Sequence, residues 1–399
     1  MKVCIHKTVF GTPENLLFQD GEISWVPTPP EKVFTLGFDL PGDLMHAHSI
    51  FPKKINFSPE EKYQKAMKMV SKESKHIPWS LVMPKKAFVK HLQNVLDDLQ
   101  VILTSDFMEY LSDHFNPNRS LLDNLSNAHV CPAKFLSAVS GTVSNRSVLQ
   151  TFHPNRSGEC KKVNYSLTGT KTGRLTVKSG PQILTIKKDL RSMLTSRFKG
   201  GFLKQIDFTS LEPRIALSLI GKNPPQDIYS LVNKEIFSSS VSRQTAKLAT
   251  ICLLYGGGKS RMKEITNRKG YELDNIVRQL DQYFGASIVS EKLSQQLEDT
   301  GNITNYYGRP IYVKSDAPSH VLYNNFIQST AVDVALEGFR RIIERMKSAN
   351  MKSVPIFVLH DALLIDVNPE EKEEVKKLCE PLETITGFES KFYLDIEEL

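Results

Sequence analysis

Two aspartates in this sequence of 399 residues stand where carboxylates could act on phosphate groups. Asp207 comes near the end of the apolar run Phe202-Leu203-Lys204-Gln205-Ile206-Asp207-Phe208. Asp361 sits between the apolar runs Ile356-Phe357-Val358-Leu359 and Ala362-Leu363-Leu364-Ile365. Taken singly, each is an ordinary turn residue. Side by side without a counter-ion they would repel, and one would stay protonated. A pair of Mg²⁺ ions removes that conflict and creates the arrangement used for in-line phosphoryl displacement. About 150 residues separate the two, so only the fold can bring them together.

A third set of residues follows a helical spacing. Arg243, Lys247, Ile251 and Tyr255 recur every fourth position, and Gly256-Gly257-Gly258 follows at once. At 3.6 residues per turn each step drifts by only about 40°, so the four share one helix face. Two cations, an aliphatic side chain and an aromatic ring in that order suit a nucleoside triphosphate lying along the helix. The cations would hold the β- and γ-phosphates, and the apolar end would meet sugar and base. An amphipathic surface helix with a glycine C-cap has the same spacing, and this pattern alone leaves both readings open.

The elements that must position these residues can be read from periodicity. Residues 202–208 predict a buried strand followed directly by a helix, and 354–367 predict two strands joined by a tight His360-Asp361 turn. Residues 226–300 read as almost wholly helical. A long helix is expected over Lys85 to Leu111, where Phe88, Leu92, Val95, Leu96, Leu99 and Ile102 or Leu103 recur at three- and four-residue spacing. An Asn116-Pro117-Asn118 turn would close it before a second helix carrying Leu121, Leu122 and Leu125, giving a helical hairpin. Residues 1–80 read as irregular and proline-rich, with one short helix from Pro59 to Met69. A basic stretch with turns at Gly169, Gly173 and Gly180-Pro181 covers 145–191, and an acidic helix is expected from Pro369 to Cys379. Strands from distant parts of the chain with helices between them imply an α+β core.

Composition bounds the remaining choices. An apolar fraction of 40% and a charged fraction of 24% exclude wholesale disorder. The length suggests two or three structural units, and no repeat of 20 to 50 residues is present. Fifty-one Lys and Arg against 44 Asp and Glu give a net charge of +7, which permits a polyanionic partner without demonstrating one. No window approaches the ~20 apolar residues of a membrane span, and the N-terminus lacks the apolar core of a secretory signal. Five scattered cysteines with no C-x-x-C pair exclude a zinc ribbon and argue for a reducing compartment.

Five segments in order make a specific resemblance. They are Thr172-Gly173-Arg174-Leu175; Asp207-Phe208-Thr209-Ser210-Leu211-Glu212-Pro213-Arg214; Arg243-x3-Lys247-x7-Tyr255-Gly256; Asn324-x3-Gln328-Ser329-Thr330-Ala331-x-Asp333; and Leu359-His360-Asp361. Together they resemble the polymerase domain of family A DNA polymerases, the bacterial polymerase I and phage replicase group. The match covers roughly residues 165–370, with weaker support for a thumb over 80–150. The resemblance implies a right-hand architecture with an antiparallel palm sheet and helical fingers and thumb. On that plan residues 1–80 form a small N-terminal accessory region and 81–150 the thumb. The palm then takes 151–220 and 306–399, and the fingers 221–305.

The same resemblance implies roles for matching positions. Asp207 and Asp361, with the backbone carbonyl of Phe208, correspond to the ligands of two Mg²⁺ ions, with Mn²⁺ as an alternative. Arg243 and Lys247 correspond to the residues that hold the dNTP triphosphate, and Lys247 also to the group that protonates the leaving pyrophosphate. Ile251 stands where the family usually has an aromatic residue against the sugar. Tyr255 is similar to the ring at the arriving template base. Glu212 is similar to the residue that excludes a 2′-hydroxyl, and Thr209-x-x-Glu212 is also a capping box with Pro213 suited to the first helical turn. Arg174, Asn324 and Gln328 resemble minor-groove contacts to DNA, and His360 resembles the residue at the primer terminus, or is a packed turn histidine.

Several features depart from the family. Ala362 follows Asp361 where many members carry Glu, and only about 40 residues separate Asp207 from Lys247, which suggests short fingers. Asp20-Gly21-Glu22 is a lone D-x-E pattern in a turn-like segment, so no proofreading exonuclease is expected within residues 1–80. The expected activity is that of a primer-dependent DNA polymerase acting on a primer–template with dNTPs. It is expected to be a monomer in a bacterial or phage-infected cytoplasm, with any exonuclease, helicase or processivity factor supplied by another chain. Two alternatives stand beside it: an enzyme like the single-subunit RNA polymerases, and an inactive polymerase fold that binds DNA.

Overall fold

The computed structural model describes every residue except 1, 32, 41, 71–76, 104–105, 142–145, 379 and 381–384. It is a mixed α+β chain that divides into two compact units. One comprises Met1–Pro117 with Gly308–Pro310, and the other Asn118–Tyr307 with Ile311–Leu399.

The first unit corrects the expectation that residues 1–80 are irregular. Strands β1 (Lys2–Ile5), β2 (Asn15–Gln19), β3 (Glu22–Val26) and β4 (Phe34–Leu36) form one sheet in the order β3-β2-β1-β4. β1 runs antiparallel to β2 and parallel to β4, and β2 runs antiparallel to β3. Val3, Cys4, Ile5, Leu16 and Leu36 are buried. Strands of three to five residues between prolines are too short for alternation to stand out. The overlooked signal was Asp20-Gly21, whose φ values of 51° and 90° make the two-residue hairpin loop between Gln19 and Glu22.

Helix α1 (Glu61–Val70) lies close to its expected span. Helix α2 (Lys85–Leu103) buries Val95, Leu96, Leu99, Ile102 and Leu103, the face its spacing predicted, but ends short of Leu111. A helical turn at Phe107–Tyr110 and a π turn at Leu111–Phe115 then lead into α3 (Asn116–Asp123). The Asn116-Pro117-Asn118 segment is therefore helix, not turn. Pro117 comes directly after the π turn, within a helical run that is continuous from Phe107.

The second unit is built on an antiparallel sheet of β5 (Phe202–Phe208), β6 (Val354–Leu359), β7 (Ala362–Val367) and β8 (Leu394–Glu398), in the order β6-β7-β5-β8. All six residues of β7 are buried, as suits a strand paired on both edges and covered. Pro355 interrupts β6, and the structure accommodates it on this edge strand with a register shift between Pro355 and Phe357. Helix α4 (Leu211–Leu219) follows β5 directly. Then come α5 (Ile228–Phe237), α6 (Arg243–Leu254), α7 (Lys259–Thr266), α8 (Gly270–Phe284) and α9 (Ala286–Thr300), so the helical reading of 226–300 holds.

The long helix α10 (Ser319–Ser348) backs the sheet, with the Phe339 ring 5.6 Å from that of Phe208. Its buried Asp333 is tied by amide donors from Asn305 (2.7 Å) and Asn118 (3.1 Å). Toward the C-terminus a single 3-10 turn, Pro369–Glu371, precedes a helix at Lys372–Lys377; Cys379, the expected end of that helix, lies outside the described residues.

Candidate active site

Strand pairing brings the two aspartates together. Asp207 lies opposite Ala362 across β5 and β7, and the Phe208 N–H donates to the Asp361 carbonyl at 3.1 Å. The two-residue loop His360-Asp361 places Asp361 at the end of the strands, with His360 at a φ of 58°, a strained value for a residue with a side chain. On the other side of β5, Asp395 pairs with Asp207 and Glu397 with Gln205. Directly opposed residues share a sheet face, and so do alternate residues of one strand. Asp395 and Glu397 therefore join Asp207 on one face.

This crowding controls the charge of the site. Burial, and then the neighbouring Asp361, Glu397 and Asp395 carboxylates, push Asp207 up to about 7. Burial, and then Glu212, also raise Asp361, while Arg174 and Lys247 pull it back. Among the described residues, the buried Oδ1 of Asp207 has no hydrogen-bond partner. An orphaned carboxylate oxygen beside a second aspartate fits a divalent cation. The described residues hold no group of three or more His, Cys, Asp or Glu side chains arranged to cage an ion. That donor set suits Mg²⁺, which commonly takes one or two carboxylates together with substrate phosphates.

Helix α6 presents its four-residue spacing to the same place. Ser242 caps its first turn by accepting from the Thr245 N–H, and Ala246, Ala249, Thr250 and Leu254 are buried. Arg243, Lys247, Ile251 and Tyr255 line a cleft of about 510 Å³ together with Asp207, Phe208 and Asp361. Arg174, Glu212, Gln328 and His360 line it too. Asn324 does not. Its amide donates to the Tyr255 carbonyl at 3.0 Å, and its Oδ1 accepts from the Gln328 amide. It thus links α10 to the end of α6.

Glu212 differs from its expected cap role. Ser210, at a φ of 55°, is the N-cap of α4 and makes no side-chain cap bond, while the Thr209 hydroxyl bonds Asp395 at 3.0 Å. The Glu212 carboxylate instead accepts from the Tyr255 hydroxyl at 2.9 Å and lies 3.6 Å from the Arg174 guanidinium. Arg174 also donates to the Tyr255 hydroxyl at 2.9 Å. Burial and the adjacent Glu212 push the Tyr255 phenol up to about 12. A tertiary contact with Tyr255 has displaced the local capping box. His360 is held below the ordinary histidine range by burial and by Arg174 and Arg191.

Four residues of this region were missed in the sequence. Asp395 and Glu397 carry no local signal, because only the β8 register brings them to Asp207. Asp227 caps α5 and accepts from Arg243 Nε at 2.9 and 3.1 Å, and the hydrogen bond from Arg243 holds it at about 2. Tyr229 reads as a core aromatic, and it is in fact 94% buried. Its ring centroid nevertheless lies 5.5 Å from Arg243 Cζ and 5.7 Å from Lys247 Nζ.

The fold is similar to that of a solved structure described as the POL domain of Pol1 from M. smegmatis in complex with DNA primer-template and dNTP. It matches with a TM-score of 0.62 at 15% identity, covering 92% of this chain and 81% of that one. The chain therefore has the fold of a right-hand polymerase domain. The family model for DNA polymerase family A matches residues 64–394, and the chain belongs to that family. DNA polymerase I of Caldicellulosiruptor bescii is 24% identical over 286 residues, 63% of this chain. The chain spans about a third of the length of that relative, since 33% of it is matched. Among the described residues no helix is long and apolar enough to cross a membrane.

Proposed function

We propose that the chain is a template-directed, primer-dependent DNA polymerase that adds dNTPs to a DNA 3′-hydroxyl with two divalent cations. The observation that carries this reading is the convergence of Asp207 and Asp361 on a cleft also lined by Arg243 and Lys247. On this reading Asp207, Asp361 and the Phe208 carbonyl hold Mg²⁺, or Mn²⁺ in its place. When bound, the ions lower the pKa of the attacking hydroxyl and neutralise charge on the phosphates.

The chain's own residues do the rest. Arg243 and Lys247 bind the triphosphate, where charge grows in the transition state, and Lys247 Nζ gives a proton to the leaving pyrophosphate. Ile251 packs on the sugar, and Tyr255 meets the templating position. Glu212, fixed by Tyr255, fills the space a 2′-hydroxyl needs. Arg174 and Gln328 donate to the minor-groove acceptors present on any correct pair, with Asn324 orienting Gln328, and His360 steadies the primer end. The thumb is assigned to 81–150, the fingers to 221–305, and the palm to 151–220 and 306–399. Because Asp20 and Gly21 form a hairpin loop, no 3′–5′ exonuclease role is assigned to residues 1–80. A monomer working in the cytoplasm on primer–template DNA completes the reading.

The test is primer extension by the purified protein with dNTPs or rNTPs, from matched and mismatched 3′ ends. The reading expects dNTP-specific extension and no removal of the mismatch. Equal or better use of rNTPs would move the assignment to an RNA polymerase-like enzyme, and no extension at all would leave a DNA-binding fold.

A further inference from the structure

Tyr229 is a large aromatic in the cleft to which the polymerase reading gives no task. We propose that it is a positioning residue: its ring face holds Arg243 and Lys247 where the triphosphate of the incoming nucleotide must meet them. The inference rests on the polymerase reading and adds to it the device that sets the two cations in advance.

The geometry is specific. Arg243 and Lys247 stand one turn apart on α6, and a single ring lies within 6 Å of both cationic centres, at 5.5 and 5.7 Å. That is the range in which an aromatic quadrupole attracts a cation. The ring cannot swing away freely. It sits in the first turn of α5, is almost wholly buried, and its hydroxyl faces the Ser210 side chain in the turn that follows β5. Tyr229 thus links the turn after Asp207 to the cationic face of α6. Asp227, two residues earlier, takes the Nε edge of Arg243. Two long cationic side chains are otherwise free to sample many rotamers, and that freedom would be lost on binding a triphosphate. Restricting it beforehand strengthens dNTP binding without requiring Tyr229 to touch the substrate.

The ring and the hydroxyl can be separated by substitution. Tyr229→Leu and Tyr229→Met remove the π face, whereas Tyr229→Phe keeps it and loses only the hydroxyl. Steady-state single-nucleotide extension at saturating primer–template is measured alongside melting temperature and primer–template affinity. Loss of two cation–π contacts predicts a rise of about ten-fold in KM for dNTP in Tyr229→Leu and Tyr229→Met. In both, kcat falls much less and the affinity for primer–template stays close to that of the unaltered protein. Tyr229→Phe is expected to bring KM back to within about three-fold. A Tyr229→Phe variant as impaired as Tyr229→Leu overturns the proposal in favour of the hydroxyl. An unchanged KM in both aliphatic variants overturns it too, as does a parallel fall in kcat, DNA affinity and melting temperature, which marks a merely structural role. Failure of the unaltered protein to extend any primer overturns the polymerase reading itself and is seen before the variants are compared.

Discussion

Removing the charge at Asp207 should stabilise the protein at alkaline pH while destroying the site. Its carboxyl is pushed up to about 7 by burial and by Asp361, Glu397 and Asp395, against an ordinary aspartate value of about 4. The native state therefore holds a proton that the unfolded chain releases between about pH 4 and 7. This stabilising contribution is complete below the unfolded value and is lost as the pH rises through 7. At about 1.4 kcal/mol per pH unit the loss would be roughly 4 kcal/mol, and water reaching the cleft reduces it to about 2 kcal/mol. Asp207→Asn carries no charge at any of these pH values, so it escapes the loss. In thermal melts without divalent ions, it should gain about 2 °C over the unaltered protein on going from pH 5 to pH 8. Added Mg²⁺ should then raise the melting temperature of the unaltered protein and leave the variant unmoved. A difference between the two proteins that does not change from pH 5 to 8, or that favours Asp207 at pH 8, refutes the electrostatic account of the site.

Three further outcomes follow from the same structure. Glu212→Ala leaves the Tyr255 hydroxyl without its acceptor, removes the carboxylate beside Arg174 and opens the space assigned to the 2′-hydroxyl. Its ratio of rNTP to dNTP incorporation should rise by about ten-fold or more, roughly the effect of removing one buried partner. Phe339→Ala removes the fully buried ring packed on Phe208. It should cost about 3–5 kcal/mol in urea denaturation, and a loss under about 1 kcal/mol would show that α10 does not support β5 in this way. The logarithm of primer–template affinity should fall linearly with the logarithm of salt concentration, by about 0.9 for each phosphate neutralised, and a flat response would count against the basic 145–191 stretch as a DNA track.

What could be read from the sequence followed from local patterns that tertiary contacts did not override. The apolar run before Asp207 and the paired apolar runs around His360-Asp361 gave β5, β6 and β7. The fourfold spacing from Arg243 to Tyr255 gave the working face of α6. Errors arose where a neighbour distant in sequence decided the outcome. Thr209 and Glu212 have the spacing of a capping box, but Asp395 and Tyr255 claim their side chains. Asp395 and Glu397 reach the site only through the register of β8, which nothing near residue 395 reveals. Tyr229 has the type and burial of a core residue, and its relation to two cations depends on how α5 packs against α6. The N-terminal sheet was missed for a different reason: its strands are short, and its clearest signal was the two residues of the Asp20-Gly21 loop.

The central claim is that Asp207 and Asp361 act together on one nucleotide held by α6. Primer extension with Mg²⁺ by the unaltered protein and by Asp361→Asn, with duplex binding measured in parallel, tests it most directly. The account predicts that the variant loses extension almost entirely and still binds primer–template DNA. Extension by Asp361→Asn at a rate close to that of the unaltered protein would contradict it.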